Sequence, residues 1–166
     1  MKNNDKSMVF NKNHILQAWK GKIISSQEAD VSSPFSILKN KNNNQFLNPA
    51  GTIIKKTLES LFDEITGNSD MNKGIIESAL NDFIRLMAVQ KSLPSECSGF
   101  LFLLKKILRE ESGLEINFDE MNIINDRIDS IVLSAFDIYM KCREEIFNIR
   151  MNEFKKQSFR IMENVQ

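Results

Sequence analysis

The sequence predicts an all-α fold, and three observations carry that prediction. Only three prolines and six glycines occur in 166 residues, whereas Ile, Leu, Phe and Met are plentiful. That balance favours helices over a strand-rich fold with many turns. Apolar residues recur at steps of three and four along most of the chain, the periodicity of a helix with one buried face. Finally, no glycine or proline interrupts the sequence from Met121 to the C-terminus. The length suits one domain with a sizeable core.

Residues 1–11 are polar and are expected to be flexible. Ile15, Leu16, Trp19, Ile23 and Ile24 follow at helical spacing, and Trp19, the single tryptophan, reads as a core anchor. Residues 26–48 are the least regular part, rich in Ser and Asn, which compete for backbone hydrogen bonds and favour loops. Phe35, Ile37 and Leu38 are expected to pin this connection to the body as a short helical turn.

Asn48-Pro49 marks a helix start, because asparagine caps free amides and proline fits the first helical position. Ile53, Ile54, Leu58, Leu61, Phe62 and Ile65 form its buried stripe, and Gly67 is expected to end it in a left-handed conformation. Asp70 is the expected cap of a third helix, with Ile75, Ile76, Leu80, Phe83, Ile84 and Met87 on its face. Pro94 starts a fourth helix, apolar nearly all round through Cys97, Phe100, Leu101, Phe102, Leu103, Leu104, Ile107 and Leu108. Such a helix is central in the core or shared with a partner. Gly113 is expected to end it, and Asn117 with Glu120 has the spacing of a capping box for the fifth. Residues 121–156 would span about 54 Å at ~1.5 Å per residue, longer than a domain of this size is wide.

Within that last helix, Ile128, Val132, Ala135, Tyr139, Cys142, Ile146 and Ile149 alternate steps of four and three, a heptad pattern. Ile124, Ile131 and Ile138 broaden the stripe where it should pack on the body. The narrower continuation suits pairing between two chains, so a homodimer through this helix is expected.

Lys plus Arg number 22 and Asp plus Glu number 22, so no net charge draws the chain to nucleic acid or to an anionic membrane surface. No apolar run approaches the ~20 residues that span a bilayer, and the N-terminus lacks the apolar core of a signal peptide. A cytoplasmic location is the expectation. Cys97 and Cys142 fall inside apolar helical patterns and read as buried free thiols. His14 is the single histidine, too few for a standard zinc site with two distant cysteines, and too close to the terminus for a haem ligand. Neither a phosphate-binding glycine loop nor a nucleophile elbow occurs. No cofactor and no enzymatic chemistry are expected. Arg85, Gln90, Asp126, Asp137 and Arg143 are the sharper polar candidates; Arg85 is embedded among Phe83, Ile84, Leu86 and Met87, and Asp137 stands inside the apolar run from Val132 to Met140. A charge buried there needs a partner, so Arg85, Gln90, Asp137 and Arg143 are expected to be an internal polar set or contacts inside a ligand pocket.

Several short motifs occur in a consistent order: Phe46 to Gly51, Arg85 to Gln90, Pro94-Ser95, Phe100 to Lys105, Phe136 to Arg143, and Arg150 to Glu153. Together they resemble the RsbRD-type N-terminal sensory domain, from about residue 12 to about residue 157. The resemblance implies a helical sensory module like those of RsbR-like stressosome co-antagonists, the RsbT co-antagonists of a stress response. There the sensory domain precedes a STAS domain that takes part in control of a switch kinase. Better-known relatives have a globin-like fold without haem and form dimers, and their last helix leads toward the STAS domain. The present sequence ends near the end of that helix without a STAS region, so a stand-alone sensor or adaptor is expected. Its division would be a flexible segment 1–11, a sensory domain 12–157 and a helical tail 158–166. The expected function is non-enzymatic signal sensing or regulatory protein contact, with a STAS-domain or kinase component as partner. The alternative is a small-molecule-binding module with a pocket between the helices starting at Asn48, Asp70 and Pro94.

Overall fold

The computed structural model describes residues 10–25, 48–89, 92–112 and 118–163. They form five helices in one body: α1 Lys12–Ser25, α2 Pro49–Thr66, α3 Lys73–Val89, α4 Pro94–Ser112 and α5 Phe118–Glu163. The all-α, five-helix prediction holds, as does the long C-terminal helix. The expectations for residues 1–9, for Phe35, Ile37 and Leu38, for Gly113 and for Asn117 lie outside the described residues.

α1 begins where Asn11 Oδ1 accepts from the His14 amide at 3.2 Å, and it buries Ile15, Trp19 and Ile23 on one face. Trp19 is fully buried; its Nε1 donates to the Phe100 carbonyl at 2.8 Å. Its ring stacks on Phe100 with centroids 5.7 Å apart, and Phe83 packs tilted against the Phe100 ring with centroids 4.8 Å apart. This aromatic centre joins α1, α3 and α4.

α2 starts as expected: Asn48 Oδ1 accepts from the Gly51 amide at 2.9 Å and Pro49 opens the helix. Its far end differs. Gly67 has φ −66° and ψ 152°, extended rather than left-handed, and its amide donates to the Asp63 carbonyl. The left-handed turn is unnecessary because the last carbonyls of α2 are met from outside. Arg127 of α5 donates to the carbonyls of Ile65 at 3.1 Å, Ser69 at 2.8 Å, and also Glu64 and Gly67. The start of α3 differs too: Asn72, not Asp70, accepts from the Gly74 and Ile75 amides. Asp70 lies two residues too early for a helix beginning at Lys73. α4 begins at Pro94, and Glu96 reaches back to accept from the Leu93 amide at 2.8 Å, one half of a capping box.

α3 packs on α2 and α5, and α4 on α1 and α5, so α5 is the helix both pairs share. It buries Ile124, Ile128, Ile131, Ala135, Ile138, Tyr139 and Cys142. At ~1.5 Å per residue its 46 residues span about 69 Å. From Phe147 to Met162 every residue except Ser158 is exposed, so the last turns stand clear of the body.

Candidate functional site

The expected polar set does not form a buried network. Arg85, Asp137 and Arg143 are all exposed, and so is Asp126. Apolar neighbours in sequence misled here, because successive helical residues point about 100° apart. Leu80, Phe83, Ile84 and Met87 take the core, while Arg85 turns outward. Arg85 and Asp137 do share one feature, a polar cleft of about 240 Å³ between α3 and α5 that Lys141 and Glu145 also line. Arg85 Nη2 lies 3.4 Å from Glu145 Oε2, with both side chains more than half exposed, so the pair contributes under ~1 kcal/mol. Arg143 lies outside this cleft, and Gln90 lies outside the described residues.

A larger open groove of about 710 Å³ runs between α2 and α3, past Thr52, Lys56, Ser60, Ser78 and Asp82. Among the expected flanking helices only α2 and α3 line it; α4 does not. His14 is exposed, with Nδ1 3.1 Å from Glu111 Oε2. Among the described residues no group of three or more His, Cys, Asp or Glu is placed to hold a metal ion. Nor is any described helix long and apolar enough to cross a membrane.

Cys97 and Cys142 are free and buried, as read from the sequence. Burial first, then the nearby Glu96 charge and Cys142, push the Cys97 thiol up to about 12. Burial likewise raises Cys142 and Tyr139. The Tyr139 hydroxyl donates to the Ser92 carbonyl at 2.7 Å, tying α5 to the start of α4. A thiol held protonated in this way is a poor nucleophile and a poor metal ligand.

The expected pairing seam is largely consumed inside the chain. Ile128, Ala135, Tyr139 and Cys142 are buried, Val132 and Ile146 are half-buried, and only Ile149 is exposed. A stripe of this spacing serves a neighbouring helix equally well within one chain or between two, and α3 and α4 occupy it. A different stripe is free. Leu133, Phe136, Met140, Phe147, Met151, Phe154 and Ile161 are all exposed, between 39% and 69%. With Glu144 and Ser158 filling the gaps, they follow steps of three and four from Leu133 to Ile161. At ~100° per residue this face lies roughly 130° around α5 from the buried one. It begins beside the body, where Lys105 Nζ meets Asp129 Oδ1 at 2.6 Å and lies over the Phe102 ring, and it continues onto the projecting turns. A second apolar repeat was present in the sequence, but the stronger Ile-rich repeat masked it.

No protein-family model and no solved structure matches the chain. Over 103 residues, covering 61% of this chain and 67% of the other, it is 22% identical to an uncharacterized protein of Archaeoglobus fulgidus.

Proposed function

We propose that this chain is a regulatory protein-contact module whose output element is α5. The observation that carries the reading is the exposed, largely apolar face from Leu133 to Ile161, interrupted by Glu144 and Ser158, whose seven apolar residues are between 39% and 69% exposed. Large contiguous apolar surface on a helix marks a site of protein contact. The resemblance to RsbRD-type sensory domains supports the same assignment, since the last helix there leads to the output domain. On this reading the body α1–α4 receives a signal, the assembly is cytoplasmic and dimeric, and the partner is a regulatory protein such as a STAS-domain or kinase component. A signal would act by changing how α5 pairs, because packed helices switch between discrete arrangements. Truncation after Asn152 tests this. Residues 153–162 bury nothing in the core, all being exposed except half-buried Ser158, so the helical melt in circular dichroism should be retained. Affinity capture from lysate, read by mass spectrometry, should lose its main bound partner. Unchanged capture would place the contact surface elsewhere.

The α2/α3 groove supports a second reading, a small-molecule site with hydroxyls from Thr52, Ser60 and Ser78 and charges from Lys56 and Asp82. Native mass spectrometry of the purified protein would show a co-purifying adduct that Ser78→Trp removes.

A further inference from the structure

We infer that the exposed face of α5 pairs with the same face of a second copy, antiparallel and centred on Phe147. The inference rests on the reading of α5 as a contact element and names its occupant. The face is nearly palindromic in position. Leu133 and Ile161 are equidistant from Phe147, as are Phe136 and Ser158, and Met140 and Phe154. An antiparallel pair therefore sets Phe136 against Ser158 of the second copy, bulky against small, and Met140 against Phe154. It brings Phe147 to the two-fold axis and separates the two Glu144 residues by six residues, ~9 Å, along the axis. A parallel pair in register does the opposite: it stacks Glu144 on Glu144 and Ser158 on Ser158, putting like charges into the seam.

The flanking charges agree. Asp137 and Lys155 lie eighteen residues apart, five helical turns, and so on the same flank. In an antiparallel pair like flanks meet, which brings Asp137 within two residue rises, ~3 Å, of the level of Lys155 of the second copy, at both ends. Area is also sufficient. At ~200 Å² for a fully exposed large apolar side chain, the seven residues at their observed exposures offer roughly 800 Å² per chain, the ~800 Å² per partner of a stable interface. The projecting turns of one chain then cover the body end of α5 in the other.

Light scattering at micromolar concentration should return twice the 19.2 kDa of one chain. Phe147→Asp should weaken the dimer by roughly 30-fold or more, as loss of a central anchor does, with the melt of the fold unchanged because Phe147 is 60% exposed. Met151→Lys serves as the second variant and should act in the same direction. Orientation is read by mild oxidation. Mixed Met140→Cys and Phe154→Cys chains should cross-link, whereas Met140→Cys alone should not. In the antiparallel pair its two copies lie about 21 Å apart along the axis, beyond disulfide reach. The wild-type chain controls for Cys97 and Cys142. A monomer, a Phe147→Asp dimer of undiminished affinity, or cross-linking of Met140→Cys to itself would overturn the proposal. Loss of partner capture on truncation of a monomeric chain would leave the wider reading of α5 standing.

Discussion

The Arg127 guanidinium closes the open end of α2 by donating to backbone carbonyls on both sides of Gly67. A helix C-terminus carries unsatisfied carbonyls and partial negative charge, so a fixed cation there stabilises twice over. Arg127→Ala should cost roughly 1.5–3 kcal/mol, the range for hydrogen bonds to a charged group. Arg127→Lys should recover little, because a lysine ammonium lacks the planar fork. Urea unfolding followed by circular dichroism would read both. Asp137 is the opposite case. It is exposed and has no ion pair among the described residues, so Asp137→Ala should change stability by less than about 0.5 kcal/mol. The sequence expectation of a costly buried charge does not apply, and a melting temperature within about 2 °C of wild type checks this.

At the scale of the element, two glycines at helical positions make contrasting predictions. A methyl group added at Gly99 in α4 meets nothing within 4 Å, whereas one added at Gly51 collides with the Asn48 side chain that caps α2. Gly99→Ala should therefore stabilise α4 by roughly 0.5–1 kcal/mol, since alanine loses less backbone freedom on folding. Gly51→Ala should destabilise α2 by about 1 kcal/mol, the worth of a displaced cap. Thermal melts of the two variants should move in opposite directions.

For the whole molecule, the buried ionisable groups set a pH dependence. Cys97 keeps its proton in the folded chain up to about 12, while the unfolded thiol releases it near its ordinary value of 9.0. Between those values unfolding releases a proton, so the stability Cys97 contributes is complete below pH 9 and is lost as pH rises toward 12. Cys142 and Tyr139 are raised by burial in the same sense. Urea midpoints measured from pH 8 to pH 11 should fall. Cys97→Ala should lower the midpoint at pH 8, through the cavity it leaves, but make the subsequent fall shallower. An unchanged slope would mean that the Cys97 thiol titrates alike in the folded and unfolded chain.

Local chemistry written along the chain was enough to determine the helical class and most of the core. Asn48-Pro49 and Pro94 announce two helix starts, and Trp19, Phe83 and Ile124 take the core positions their spacing assigns. These depend on neighbours three or four residues away, which a sequence displays. What only the tertiary structure decided depends on neighbours far along the chain. Asp137 looks buried beside Phe136 and Ile138, yet α3 and α4 reach only one side of α5. Gly67 looks like a left-handed stop, yet Arg127, sixty residues on, meets the carbonyls that such a turn would satisfy. The long helix carries two apolar stripes of the same period, and period alone cannot say which one the body will cover. Packing gave the Ile-rich stripe to the core and left Leu133, Phe147 and Phe154 in solvent, because one side of α5 suffices to hold α2, α3 and α4.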